Sequence, residues 1–352
     1  MQVIINNLNS NYLEEISHEL KNVLRNQKIL ITGSSGFLGY SLLHTLLKIN
    51  RNFFLKLDIT CISQGEMDYS FCEFKNDFKH VKGDLTNDDF IQLLDQYDTI
   101  LHFAGYAQPS VFMANPISTF KINTDTVTKL ISKCKPDGNF LFISSSEVYS
   151  NLKSEAPKED EVGWIHPKHP RAPYVLSKLS GETICLYEAE RSNKNIKIVR
   201  LSMVYGPGIK INDTRALSQF MHQAIFSNQI KLLDQGNASR GYLYIKDAIR
   251  AFFNIIWFGK KSIYNVGSGR IGTITIAELA RNISSLANVK LEFPSSNENL
   301  LGANDTVNLD ISRYENEFGL LMKTPFTIGI NETYNWVCKN WKFQEKSRDN
   351  TI

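Results

Sequence analysis

The segment KILITGSSGFLGYSLLHTLLK places Gly33, Gly36 and Gly39 between an apolar run typical of a strand and a pattern typical of a helix. The first glycine permits a tight turn, the second lets a diphosphate approach the backbone, and the third lets helix and strand pack closely. The diphosphate then lies at the helix N-terminus, where free N–H groups and the dipole favour anions. A glycine-rich turn without a ligand is the alternative, but this context favours a nucleotide-binding loop.

The chain continues as an alternation of strand-like and helix-like segments. Predicted strands lie at Lys28–Thr32, Leu55–Ile62, His80–Lys82, Thr99–Phe103 and Phe140–Ser144. Predicted helices lie at Asn11–Arg25, Leu38–Ile49, Phe90–Leu94 and Thr119–Cys134. Such alternation implies crossover connections and a parallel sheet with helices on both faces. We therefore predict an α/β fold with a Rossmann-like, doubly wound parallel sheet and a smaller, mixed α/β C-terminal substrate domain.

The pattern becomes less regular and richer in turns from Ile209 onward. It predicts an N-terminal helical extension over 1–26, a dinucleotide-binding Rossmann domain over 27–205 and a mainly substrate-binding domain over 206–345. Some helices or strands of 206–345 could pack back onto the Rossmann sheet and become part of it.

The charges nearly cancel, since 39 Lys and Arg oppose 36 Asp and Glu and leave a net charge of +3. A dedicated nucleic-acid binder usually carries a clustered basic excess, so no nucleic-acid partner is expected. No apolar run approaches the ~18–20 residues that span a membrane, and the first residues lack the pattern of a secretory signal. We therefore expect a cytoplasmic protein without membrane contact.

The five cysteines are scattered and form no C-x-x-C pair, so they predict neither a complete disulfide framework nor a zinc site. His166 and His169 lie in an H-P-x-H segment whose prolines suit an extended loop. Two loop histidines without a further ligand cluster do not make a metal site, and no metal is expected.

An acidic residue about 20 positions after the glycine loop usually contacts the ribose 2′-hydroxyl of the dinucleotide. Asp58 lies at that distance, but the alternating apolar residues of 55–61 predict that it is buried in mid-strand. The predicted strand tip, Ser63 and Gln64, carries no acid, and 63–68 contains no Lys or Arg for a 2′-phosphate. We therefore expect NAD as the cofactor, with NADP as the alternative.

Tyr174 and Lys178 stand four residues apart in PYVLSK, so on a helix they share one face. A lysine ammonium and the positive charge of nicotinamide both favour tyrosinate, and we expect them to lower the pKa of the phenol. A tyrosinate removes a proton from a substrate hydroxyl while hydride passes to the cofactor. Such a pair also occurs by chance on helices, so its meaning depends on the accompanying motifs.

Four ordered motifs, TGSSGFLG, GDLTNDD, FLFISSSEVYS and PYVLSK, resemble the extended short-chain dehydrogenase/reductase superfamily, specifically its enzymes that modify nucleotide sugars. The resemblance is collinear from Lys28 to Trp336. It implies that Ser145, Tyr174 and Lys178 are catalytic and that Ser145 hydrogen-bonds the reacting hydroxyl. It also implies a nucleotide-diphosphate sugar as substrate and a homodimer.

Glu147 is the residue that separates the branches of this family. The S-S-E-V-Y segment resembles the T-S-E-V-Y of UDP-glucuronate decarboxylases and also resembles GDP-mannose 4,6-dehydratases, whereas simple 4-epimerases usually lack this acid. The dTDP-glucose 4,6-dehydratases carry Asp-Glu, from which Ser146 departs. A 4-keto intermediate acidifies C5, where a catalytic carboxylate can move a proton or orient the ring. The alternative for Glu147 is a surface glutamate after a strand.

Three stretches, NPISTFKINT, HPRAPY and INDTRALSQF, resemble the decarboxylase branch. By the family resemblance, the cofactor contacts are Gly33, Gly36, Phe37, Leu38, Gly39, Asp84, Leu85, Phe103, Ala104, Gly105, Asn123, Tyr174 and Lys178. The implied substrate contacts are Ser146, Arg171, Arg215 and Arg240. A guanidinium pairs with carboxylate or phosphate through two hydrogen bonds, so Arg240 suits a sugar acid or a diphosphate.

Three positions depart from the family pattern. Ser150 replaces the glycine of V-Y-G, Met203 occupies the place of a substrate-contacting asparagine, and the usual arginine before Asp310 is missing. A thioether cannot replace the hydrogen bonds of an amide. These departures bear on the identity of the substrate more than on the fold.

The first hypothesis is an NAD-dependent lyase that oxidises C4, releases carbon dioxide from C5 and reduces the ketone again, as UDP-glucuronate decarboxylases do. A 4,6-dehydratase is the runner-up and a C4 epimerase the third. A non-catalytic NAD(P) sensor is the alternative from another class. Ser145, Tyr174 and Lys178, which a sensor does not need, argue against it.

Overall fold

The computed structural model describes residues 18–67, 74–269, 272–295 and 306–349. Residues 11–17 of the predicted helix Asn11–Arg25 lie outside the described residues, and its remainder contains a helix over His18–Leu24.

The strands of the described residues are, in chain order, β1 (Lys28–Thr32), β2 (Asp58–Ser63), β3 (Lys79–Lys82), β4 (Tyr97–His102), β5 (Cys134–Ser145), β6 (Asn195–Leu201), β7 (Met203–Tyr205), β8 (Gln229–Lys231), β9 (Ser239–Tyr244), β10 (Ile263–Val266), β11 (Thr273–Thr275), β12 (Lys290–Glu292) and β13 (Thr306–Val307).

The helices are α1 (His18–Leu24), α2 (Phe37–Phe53), α3 (Asp88–Gln92), α4 (Pro109–Ala114), α5 (Pro116–Asn123), α6 (Asp125–Ser132), α7 (Ala172–Arg191), α8 (Ala216–His222), α9 (Ile245–Phe258), α10 (Ile276–Ala287), α11 (Ser312–Phe318) and α12 (Phe326–Asp349). A 3₁₀ helix spans Ser146–Tyr149, and a π-helical turn over Gln223–Ser227 continues α8.

A seven-stranded sheet forms the centre of the molecule, in the order β10-β6-β5-β4-β1-β2-β3. Every neighbouring pair in it is parallel. The strand order reverses at β1, which pairs with β2 on one side and β4 on the other. Open α/β sheets bind ligands in the crevice at the carboxyl ends of strands at such a reversal. The predicted Rossmann-like, doubly wound sheet is confirmed.

Both faces of the sheet are buried, because successive side chains of a strand point to opposite sides. On β5, Leu141 and Ile143 belong to the core cluster that contains the apolar residues of α2 and α9. Phe140 and Phe142 belong to the cluster on the other face, with residues of α6 and α7. Strands covered on both faces read as continuous apolar runs, which explains FLFI in the sequence.

The helix predicted over Thr119–Cys134 is interrupted, and the prediction of one continuous helix is wrong. Thr124 leaves the helical conformation, with φ −120° and ψ −83°, and separates α5 from α6. Its own N–H donates to the carbonyl of Lys121. Asn123 therefore ends a helix instead of lying inside one.

Asp58 is not in mid-strand. It is the first residue of β2 and is exposed, because Phe54 and Lys56 have positive φ angles of 50° and 58° that break the extended conformation before it. Leu55 and Leu57 are buried as loop residues, which produced the misleading alternation. Asp58 lies at the amino end of the strand, away from the glycine loop.

The residues after β6 build a smaller mixed sheet, in which β9 pairs with β7 and β13 in parallel and with β11 antiparallel. β8 and β12 form a separate parallel pair. β10 lies late in the chain but pairs with β6 at the edge of the large sheet. Among the helices of the described ranges, none is long and apolar enough to cross a membrane.

Gly181 lets α7 pack directly on its neighbours, and we expect Gly181→Ala to destabilise the protein by about 1–3 kcal/mol, as overpacking does. A methyl group there would lie 2.4 Å from the carbonyl oxygen of Asn123 and 2.6 Å from Cζ of Phe142. Urea unfolding measures the change. Gly65→Ala is the control, since its methyl group meets nothing closer than Ser35 Oγ at 3.9 Å. Equal midpoints for the two variants would contradict this packing argument.

Candidate active site

A cleft of about 1000 Å³ opens at the carboxyl ends of β1, β4 and β5. The glycine loop, the segment after β4, the 3₁₀ helix after β5 and the start of α7 form its walls. The predicted site residues that line it are Gly33, Gly36, Phe37, Leu38, Gly39, Phe103, Ala104, Gly105, Ser145, Ser146, Glu147, Arg171, Tyr174, Lys178, Arg215 and Arg240.

The glycine loop is shaped by close backbone contacts. Gly33 has a φ of 71°, and a Cβ atom there would lie 2.6 Å from the amide nitrogen of Ala104. A Cβ on Gly39 would lie 2.4 Å from the carbonyl oxygen of Gly33. Gly36 is the N-cap of α2 and supplies no side-chain cap, so the helix N-terminus faces the cleft through backbone groups. This arrangement suits a diphosphate.

Asn123 supplies an independent indication of a bound dinucleotide. Its side chain is fully buried and donates to the Thr119 carbonyl at 2.9 Å and to Ser177 Oγ at 3.0 Å. Its Oδ1 atom has no hydrogen-bond partner within the described residues. A Cβ on Gly105 would lie 3.9 Å from this oxygen, so a space adjoins the two residues. Because buried acceptors are normally paired, the site fits a ligand hydroxyl such as those of NAD.

Asp84 and Leu85 lie outside the group of residues that line the cleft. They follow β3, where Asp84 accepts hydrogen bonds from the amide and the hydroxyl of Thr86 at 2.8 and 2.9 Å. Leu85 is buried in the core, and its carbonyl accepts from Thr126 Oγ1. Their role as cofactor contacts stays a prediction.

The end of β2 carries no acid for the ribose. Ser63 is its last residue, and its hydroxyl bonds to the Gly65 carbonyl at 2.7 Å and to His80 Nε2 at 2.9 Å. The nearby Glu66 pairs with Lys82 at 2.7 Å on the surface.

Ser145, Tyr174 and Lys178 come together at one end of the cleft, and all three are buried. Ser145 ends β5 and hydrogen-bonds Tyr174, which packs on Phe112 with ring centroids 4.6 Å apart. Lys178 lies one turn further along α7 and donates from Nζ to the carbonyl of Ile143 at 2.7 Å. The ammonium is 5.9 Å from the centroid of the Tyr174 ring.

The pKa of Tyr174 is raised to about 12, which differs from the lowered value expected from the sequence. Burial is the largest cause and the charge of Glu147 adds to it, whereas a hydrogen bond with Ser145 and the charges of Arg171 and Arg215 act in the opposite direction. Burial also lowers the pKa of Lys178 to about 7. Sequence spacing does not report desolvation, which dominates both groups.

Glu147 forms a two-point ion pair with Arg171 inside the cleft. Arg171 Nε donates to Oε2 at 3.0 Å, and Nη2 donates to Oε1. The guanidinium also lies 5.5 Å from the centroid of the Phe112 ring. Arg171 is the N-cap residue of α7, so the pair joins the 3₁₀ helix after β5 to the start of α7. Glu147 is therefore more than a solvated surface residue.

Arg215 and Arg240 reach the cleft from the C-terminal part of the chain. Asp213, which the sequence analysis did not select, holds Arg215 by accepting from its Nε at 3.0 Å with both carboxylate oxygens. Arg240 lies on β9 and donates to the Ser239 carbonyl at 2.7 Å. Asp213 lies two residues before Arg215 in the INDTRALSQF motif, and this closeness in sequence is the signal that could have identified it as a site residue.

Met203, Lys210 and Thr214 also line the cleft. The sequence indicates only Met203, as a departure from the family pattern, because nothing local distinguishes Lys210 and Thr214. Lysines and arginines outnumber carboxylates among the lining residues, and this excess favours an anionic ligand. No cluster of three or more metal-ligating side chains occurs in the part of the chain that the structure describes.

Comparison with known proteins gives consistent matches. Residues 29–267 match the model of the NAD dependent epimerase/dehydratase family. The chain is 27% identical over 331 residues to UDP-glucuronic acid decarboxylase 1 of Xenopus tropicalis, covering 92% of this chain and 75% of the relative. It is 25% identical over 340 residues to dTDP-D-glucose 4,6-dehydratase of Homo sapiens, covering 91% and 93%.

Among solved structures, an epimerase from Methanothermobacter thermautotrophicus superposes with a TM-score of 0.78 at 20% identity, covering 96% of this chain and 98% of that one. The fold and the cleft define a dinucleotide-dependent enzyme. The chain belongs to the NAD dependent epimerase/dehydratase family, so the resemblance to the extended short-chain enzymes is confirmed and NAD is the cofactor.

Gly105 gives a direct test of the cofactor cleft. We expect Gly105→Ala and then Gly105→Val to weaken NADH binding progressively, by about tenfold or more for valine. The added atoms enter the space beside Asn123 Oδ1 and Lys178 Nζ, each 3.9 Å from the new Cβ. NADH fluorescence measures the affinity, and the melting temperature reports the fold. Unchanged affinity in the valine variant would show that the cofactor does not use this space.

Proposed function

We propose that this enzyme acts on a nucleotide-diphosphate sugar through a 4-keto intermediate, and that it is a UDP-glucuronate decarboxylase-like lyase. The observation that carries the proposal is the Glu147–Arg171 pair beside Tyr174. A carboxylate at this place serves chemistry at C5 and has no role in a simple C4 epimerisation.

The residues of the chain divide between cofactor and substrate. We assign NAD to the glycine loop, to Asn123 and to residues 103–105, and the sugar to the cleft around Glu147. Arg215 and Arg240 suit the diphosphate, and the domain over 206–345 supplies both. Bound NAD supplies a hydride acceptor for C4 and returns the hydride later, so no net oxidation results.

Tyr174 is the base for the C4 hydroxyl, and Ser145 orients that hydroxyl. The raised pKa of Tyr174 means that its proton is held firmly, so ionisation depends on positive charge in the cleft. Arg215 supplies such charge, since it lowers the pKa of the phenol, whereas the effect of Arg171 is opposed by the carboxylate of Glu147 with which it pairs. Phe112 stacks on the ring of Tyr174 and excludes water from it, and charge interactions are stronger where water is excluded.

The C4 ketone makes loss of the C6 carboxylate feasible. The C5–C6 bond breaks, carbon dioxide leaves, and the electron pair moves to the C4 oxygen as an enolate beside Tyr174. Solvent water then donates a proton to C5, and the C4 ketone is reduced again while Tyr174 returns the proton that it took from the C4 hydroxyl. Glu147, held at both oxygens by Arg171, orients the ring and the proton donor for that addition.

A 4,6-dehydratase is the second candidate, because it also needs a carboxylate at C5. Its support is the match to the human dTDP-D-glucose 4,6-dehydratase over nearly the full length of both chains. In that reaction the C6 hydroxyl leaves as water and no carbon is lost.

We expect the purified protein with NAD to convert UDP-glucuronate to a product lighter by one carbon dioxide. Mass spectrometry of the products identifies this change in a panel that also contains GDP-mannose, dTDP-glucose and UDP-glucose. Loss of one water from a neutral sugar would replace the decarboxylase by a dehydratase. Conversion at unchanged mass, seen by NMR, would assign an epimerase and overturn both lyases.

Glu147→Gln and Tyr174→Phe test the two roles, and we expect each to reduce carbon dioxide release by about 10²-fold or more. The amide keeps the size of Glu147 but loses its charge, and phenylalanine cannot take the proton. NADH binding should remain in Glu147→Gln, because Glu147 is not a predicted cofactor contact, and the melting temperature shows whether both variants fold. The matched control is Glu155→Gln, an exposed glutamate of the connection before α7. Normal turnover in Glu147→Gln would remove the carboxylate from the mechanism.

A further inference from the structure

A buried ion pair lies behind the candidate catalytic groups. The side chains of Glu182 on α7 and Arg200 on β6 are each only 4% exposed. Arg200 Nε donates to both carboxylate oxygens at 3.0 and 3.2 Å, and Nη2 donates to Oε2 at 2.7 Å. Removing two charges from water is costly, so a pair of this kind is weak evidence for a purely stabilising role.

The carboxylate end of this pair faces the catalytic strand and the catalytic lysine. Ser144, the residue before Ser145 on β5, donates its hydroxyl to Glu182 Oε1. Glu182 also follows Lys178 by one turn of α7. One carboxylate thus connects the end of the strand that carries Ser145 to the helix that carries the lysine.

The guanidinium end holds the turn that carries Glu147. Arg200 Nη1 donates to Tyr149 Oη at 2.8 Å and to the carbonyls of Glu159 and Glu161 at 3.1 and 2.9 Å. Tyr149 closes the 3₁₀ helix and in turn donates to Asn265 Oδ1 on β10 at 2.8 Å. The two carbonyls belong to the connection that leads to Arg171 and α7.

We propose that Glu182 and Arg200 are positioning residues, which fix Ser145, Glu147 and Lys178 relative to one another and place a negative charge one helical turn from the lysine. The kinetic consequences of this inference rest on the proposed function. Its electrostatic consequence for Lys178 does not.

The charge of Glu182 acts on Lys178 against the effect of burial. Burial lowers the pKa of Lys178 to about 7, and Glu182 is the largest charge that raises it. Cys185 on α7 acts on the pKa of Lys178 in the same direction as Glu182 but more weakly, and burial raises the pKa of its thiol. Burial also lowers the pKa of His102 on β4 to about 3 and raises the pKa of Tyr174 to about 12. Arg200 on β6 pairs with the carboxylate of Glu182, so its charge is further from Lys178 than that of Glu182. Loss of the Glu182 charge therefore lowers the pKa of Lys178 further.

The experiment titrates Lys178 directly in the full-length protein with trace acetic anhydride, which reacts with the neutral amine. Peptide mass spectrometry gives the fraction acetylated at each pH. We expect the midpoint for Lys178 in Glu182→Gln to lie about one pH unit lower than in the native protein. The double variant Glu182→Gln/Arg200→Gln leaves no unpaired buried charge, and its midpoint should move in the same direction.

Kinetics test the positioning. In both variants we expect kcat to fall about tenfold or more with little change in KM, and the basic limb of the pH profile to move to lower pH. The matched control is Asp247→Asn, which breaks the pair of the buried Asp247 with the half-buried Arg250, outside the residues that line the cleft. It should lower the melting temperature without moving the Lys178 midpoint.

An unchanged Lys178 midpoint in both Glu182 variants would overturn the inference, as would a kcat loss no larger than that of Asp247→Asn. If the native protein converts no sugar of the panel, the proposed function fails. The acetylation midpoint still decides the inference in that case.

Discussion

The parallel pairing of β1 with both β2 and β4 is the constraint on which the other features depend. It places the carboxyl ends of these strands at one edge and reverses the winding there, so the loops on either side diverge and leave a crevice. The glycine contacts at this edge bring the loop against the segment after β4 at distances that no side chain tolerates. The glycine loop after β1, residues 103–105 after β4 and Ser145 at the end of β5 therefore line the same cleft, because these strands end at one edge of the sheet.

The pattern of strands and helices and the glycine loop could be predicted because they depend on local spacing. Errors arose where backbone geometry overrides an apolar pattern, as at Lys56 before β2 and at Thr124 between α5 and α6. The pairing of Glu147 with Arg171 joins residues 24 apart in sequence, and that of Arg200 with Tyr149 joins residues 51 apart. Neither leaves a local signal, so only the fold reveals them.

The pKa values of the site residues are the property that the sequence predicts least well. A Tyr-x-x-x-Lys spacing shows which groups share a helix face, but not how much water surrounds them. In the structure Tyr174 and Lys178 are both buried, and burial moves their pKa values in opposite directions towards the neutral forms. Charged neighbours then modify that state, since Glu147, Arg171 and Arg215 act on Tyr174 and Glu182 acts on Lys178.

The large sheet contains a strand, β10, from late in the chain, and this determines which fragments of the protein can fold. β10 covers the edge of β6, and Asn265 within it bonds to Tyr149 and to the carbonyls of Pro157 and Asp310. A fragment that stops after β7 would expose β6 as an unpaired edge, and such edges promote aggregation. The large sheet is therefore not complete in the chain up to β7, and any fragment or chimera built on it must keep 263–266.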